Sequence, residues 1–124
     1  MIHQKTQFKD QIKSAIGAHG LWKGRINTAV ETGASEWDPG AVQSSHNCDF
    51  GKWLDTFPVA ERNGQYKKVA DLHADFHKEA ASVLKMALSG DKARAKKAVA
   101  MGSEYEKLTT SLTRAMMEWR DQEG

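Results

Sequence analysis

Two runs of apolar residues spaced three and four apart constrain this 124-residue chain more than any other feature, because that spacing fits one face of an α-helix. The first extends from Gln4 to about Glu31 and places Phe8, Ile12, Ala15, Ile16, His19, Trp22, Ile26 and Val30 on one stripe. The second passes through Tyr66, Val69, Leu72, His73, Phe76, His77, Ala80, Val83, Leu84 and Leu88. Ser89-Gly90-Asp91 then ends one helix and begins another, with Gly90 as the left-handed stop and Asp91 as the N-cap. A last helix is expected from about Lys92 to Arg120. Its broad face carries Ala95, Val99, Met101, Tyr105, Leu108, Leu112, Met116 and Trp119, and Gly102 loosens it locally.

Between the two long patterns, Thr32 to Gly40 holds two glycines, a proline and capping residues, and reads as a long connection with room for one short turn. Ala41 to Leu54 is compatible with a short helix anchored by Phe50, Trp53 and Leu54, with Gly51 as its weakest position. No stretch reads as a strand. The expected fold is therefore all-α: an up-and-down four-helix bundle with a short extra helix carrying the cysteine, in a single domain over residues 1–124.

Lys and Arg total 18 against 16 for Asp and Glu, so a net charge of +2 supplies no general attraction to nucleic acid or anionic lipid. The basic run Lys92 to Lys97 reads as a solvated helix start rather than a phosphate site. No apolar stretch approaches the roughly 20 residues of a membrane span, and the first residues lack the apolar core of a secretory signal. A cytoplasmic location is expected. One cysteine cannot form an internal disulfide, so Cys48 is a free thiol, an intermolecular bridge or a metal ligand.

His73-Ala-Asp-Phe-His77 sets two imidazoles one turn apart on a stripe shared with Leu72, Phe76 and Ala80, so both are expected to face the core. His19 lies on the apolar stripe of the first helix between Ile16 and Trp22, where an unpaired polar group is costly. Taken alone, each of these histidines is better read as a hydrogen-bonded core residue, and a lone cysteine as a small buried apolar one. Three inward imidazoles with the only thiol form a donor set suited to tetrahedral zinc, and jointly they favour one Zn2+ per chain held by His19, Cys48, His73 and His77. His46, two residues before Cys48, is the weaker competitor, and His3 is expected in solvent. Asp49, Asp75 and Glu79 are available as acceptors that orient an imidazole ring.

The segments His19-Gly-Leu-Trp22, Cys48-Asp-Phe-Gly-Lys-Trp53 and His73-Ala-Asp-Phe-His77, in that order over nearly the whole chain, resemble the bacterial chemoreceptor zinc-binding domain. The resemblance implies a four-helix bundle whose three histidines and cysteine hold zinc, and a regulatory role in chemoreceptor or cyclic di-GMP (diguanylate cyclase) signalling. It also implies sensitivity to bleach-like oxidants through the cysteine. No receptor signalling domain or cyclase accompanies the motif in these 124 residues, so the expectation is a stand-alone module or an excised fragment.

Four protein ligands leave no open position for water or substrate, and Ala74 stands where a His-Glu-x-x-His metalloprotease carries its glutamate. The expectation is a sensor without enzymatic activity, with the Cys48 segment as its bistable part. The other reading is a metal-free structural or protein-interaction bundle. The face bearing Leu108, Leu112, Met116 and Trp119 can bury against a second copy, so a homodimer is expected, although such a stripe is more often ordinary core.

Overall fold

The computed structural model describes residues 5–123 and contains six α-helices and, among the described residues, no strand. They are α1 (Lys5–Thr32), α2 (Pro39–Gln43), α3 (Asp49–Asp55), α4 (Gly64–Leu88), α5 (Lys92–Ala98) and α6 (Glu104–Glu123). The long helices α1, α4 and α6 each pack on the other two, α2 lies against α4, and α5 packs on α4 and α1. His3 falls outside the described residues.

Their directions follow from who meets whom. Phe8 near the start of α1 and Tyr66 near the start of α4 both pack on Trp119 near the end of α6, at ring-centroid distances of 4.9 and 5.8 Å. At the other end of α1, Glu31 pairs with Lys92 and Lys96 of α5. Hence α1 and α4 run one way and α6 returns. The basic run Lys92 to Lys97 thus has a local electrostatic partner on α1, in keeping with a solvated helix start.

Local chemistry explains most boundaries. Asn63 caps α4 by accepting the Tyr66 N–H at 2.9 Å, and Asp91 caps α5 by accepting the Arg94 N–H at 3.3 Å. Gly90 takes φ +88°, the left-handed stop that its position before Asp91 led us to expect. The region from Ala41 to Leu54 differs from one short helix: α2 ends at Gln43, a 3-10 turn covers Ser45–Asn47, and Cys48 then caps α3.

The rod expected from Lys92 to Arg120 is two helices. Gly102 sits at φ +83°, a left-handed conformation that breaks the ladder between α5 and α6. Beyond it, the Ser103 hydroxyl accepts the Glu106 N–H at 3.2 Å while the Glu106 carboxylate accepts the Gly102 N–H at 3.1 Å. The Ser-x-x-Glu spelling of that cap was legible, and it marks a helix start inside the supposed rod. Met101, expected on the apolar face, stands on this break and is 89% exposed.

The core runs the length of the bundle and ends in a group of aromatic rings, Phe8, Trp53, Phe57, Tyr66 and Trp119. Of the face bearing Leu108, Leu112, Met116 and Trp119, the last three are buried against their own chain and Leu108 is half-buried. Among the described residues, no helix is long and apolar enough to cross a membrane.

Candidate metal centre

Among the described residues, His19 on α1 and His73 and His77 on α4 are the buried polar or charged side chains, and the half-buried Cys48 faces them from the start of α3. One donor atom from each lies within 4.8 Å of all the others. The His73 Nε2 is 3.2 Å from the Cys48 Sγ and 3.0 Å from the His77 Nε2. Zinc held at the usual Zn–N and Zn–S lengths places tetrahedral ligand atoms about 3.3–3.6 Å apart, so these spacings already approximate the edges of such a site.

Two of the imidazoles are held in one tautomer. A carbonyl oxygen can only accept, so the Nδ1–H of His19 donates to the Ala15 carbonyl at 2.7 Å. The Nδ1–H of His77 likewise donates to the Val42 carbonyl at 2.9 Å. Each Nε2 therefore keeps its lone pair, which is the form that binds a metal. For His19 and His77 the orienting acceptors are backbone carbonyls, not the carboxylates of Asp49, Asp75 or Glu79. That role carries no residue signature and was invisible in the sequence. His46 points elsewhere, its Nδ1 2.9 Å from a carboxylate oxygen of Asp55 at the surface.

Cys48 reaches the cluster because α3 is pressed against the turn before it. A Cβ on Gly51 would stand 1.8 Å from the Ser45 carbonyl oxygen, so only glycine permits this approach. The position that looked weakest for a helix is the one that sets the thiol in place. Phe50 covers the inner side, its ring centroid 5.1 and 5.9 Å from those of His73 and His19, and Trp53 stacks behind Phe50 and packs on Phe8.

Burial decides the charge states. It drives His19 down to about 4 and, with the neighbouring histidines adding repulsion, His73 down to about 2. His77 is also lowered by burial. The Gly51 N–H, 3.4 Å from the Cys48 Sγ, favours thiolate, yet burial outweighs it and raises the thiol. At neutral pH the cluster alone is three neutral imidazoles and a thiol. Three imidazole nitrogens and one sulfur converging without a carboxylate form a donor set that fits zinc.

The family model for the chemoreceptor zinc-binding domain matches residues 19–84, more than half of the chain. The chain belongs to that family. The matched segment begins at His19 and encloses Cys48, His73 and His77, so the chemoreceptor zinc-binding domain signature and the donor cluster coincide. No curated protein and no solved structure matches the chain.

Proposed function

We propose that this chemoreceptor zinc-binding domain is a sensory or regulatory module in bacterial signalling, with one Zn2+ per chain in a closed site of His19, Cys48, His73 and His77. The observation that carries the reading is the convergence of these four donor atoms within 4.8 Å, in the segment that the family model spans. Bound zinc would supply a cross-link among α1, α3 and α4, and a Lewis acid that keeps the thiol ionised. With four protein ligands there is no open position for substrate, so the role is binding rather than catalysis.

The Cys48 segment is the part that would move. It is attached to the bundle by short elements, α2 and α3, and by the His77 to Val42 and Tyr66 to Leu54 hydrogen bonds, whereas α1 and α4 are long and contribute core residues along their length. Occupancy therefore biases the packing of one weak segment, which is how a small ligand acts as a switch. We extend this to oxidants. A two-electron oxidant such as hypochlorous acid gives its oxygen to the Cys48 thiolate, forming sulfenic acid and chloride, and the weaker donor releases its share of the site. A cytoplasmic location, homodimerisation and coupling to a chemoreceptor or diguanylate cyclase complete the proposal and rest on the family alone.

Zinc-edge X-ray absorption on the loaded protein tests the ligand set. One sulfur at about 2.3 Å and three nitrogens at about 2.0–2.1 Å support the reading, and an all-nitrogen-and-oxygen shell excludes Cys48.

A further inference from the structure

A groove of about 810 Å³ lies between α1 and the α2–α3 segment and ends on the donor cluster. His19, Cys48 and His77 line it. One wall carries Ala18 of α1 and the other Ala41 of α2, both exposed. Above them the Arg25 guanidinium lies over the Trp22 and Trp37 rings, 4.8 and 4.4 Å from their centroids, and ties the two walls together. Glu36, Asp38 and Asp49 also line the groove against the single cation of Arg25, so its field draws cations inward. Its volume is in the range of small-molecule sites, about 300–1,000 Å³.

From this arrangement we infer that the groove is the route by which metal ions and small thiol-directed molecules reach Cys48 while the helices stay folded. Cys48 is the one half-buried member of the four, and it is reached from the side where the groove lies. Exchange then needs no opening of the α2–α3 segment: the walls admit a hydrated divalent cation or a small electrophile and exclude a bulky one. The metal half of this inference rests on the zinc reading above. The thiol half does not.

The labelling test compares four forms of the 124-residue chain: wild type, Ala18→Trp, Ala41→Trp and, as a control on the exposed side of α4 away from the groove, Ser82→Trp; a fifth form, Glu36→Gln, tests the charge of the groove. Metal-free protein is labelled with N-ethylmaleimide and with a maleimide carrying a long polyethylene glycol. Wild type and Ser82→Trp are expected to react with the small reagent at one rate and far more slowly with the large one. Either groove variant slows the small reagent by on the order of tenfold, access acting directly on the thiol rate. Zinc uptake, followed with a fluorescent chelator, slows in parallel while the equilibrium affinity holds. Glu36→Gln slows uptake about twofold and leaves labelling by the neutral reagent unchanged. Equal labelling rates in all four folded chains, or rates that rise together in mild urea, overturn the route in favour of segment opening. A wild type that takes up no zinc sinks the zinc reading, and the labelling rates still decide the groove.

Discussion

His77 and Val42 are joined by a 2.9 Å hydrogen bond from the imidazole Nδ1–H to the backbone carbonyl, across 35 positions of sequence. That bond adds to the core packing of Val42 in holding α2 on α4, and at the same time turns the Nε2 of His77 toward Cys48 and His73. The position of the α2–α3 segment and the readiness of the site to take a metal are therefore one property. Loss of either disturbs the other.

The first consequence is a fixed tautomer. In metal-free protein at pH 7, His19 and His77 are expected in the Nδ1–H form, since both donate from Nδ1 to a carbonyl. Long-range proton–nitrogen NMR spectra read this from the ring nitrogen shifts, and the pattern should persist on adding zinc. An Nε2–H form at either residue contradicts the geometry.

Zinc uptake at pH 7 should release about one proton per chain, because metal binding displaces protons only from ligands that still carry them. Burial has already left the imidazoles neutral, His19 at about 4 and His73 at about 2, and it has raised the Cys48 thiol. The displaced proton is the thiol's. Calorimetry in buffers of different ionisation enthalpy measures the number, and two or more would place charged histidines in the folded metal-free state.

Acid should destabilise the metal-free fold. The folded-state values of His19, His73 and His77 lie below the unfolded value near 6.5, so the unfolded chain binds more protons as pH falls. The stability held above about 6.5 is lost progressively toward the folded values. Urea midpoints should fall from pH 7.5 to pH 5. His19→Leu removes one of the groups and should flatten the slope even as it weakens zinc binding.

Gly51 and Gly17 should respond in opposite ways to the same change. Gly51→Ala drives a methyl into the Ser45 carbonyl and is expected to cost about 3 kcal/mol or more and to weaken zinc binding. Gly17 lies on α1 with no atom near an added Cβ, so Gly17→Ala should stabilise by about 0.5–1 kcal/mol. Denaturant unfolding of the two variants distinguishes a packing requirement from a propensity effect.

These cases also show where the chain was readable. His19, His73 and His77 were legible as inward residues because they fall on apolar stripes of helical period, and Cys48 because it is the only thiol. What fixes their geometry was not. The Ala15 and Val42 carbonyls have no side-chain signature, and the role of Gly51 depends on Ser45, which reaches it only through the tertiary turn. From the sequence the last helix reads as one rod because apolar residues continue on both sides of Gly102, although the Ser103 to Glu106 cap spells out a new start. Periodicity reports which face is buried and is blind to a single left-handed residue.

Native mass spectrometry of the purified chain, offered zinc, beside Cys48→Ala and His77→Ala, tests the central claim most directly. One zinc per wild-type chain, held more weakly by both variants, is the predicted result. A wild type that stays folded and metal-free in excess zinc would contradict it, and would leave three buried histidines serving only as core.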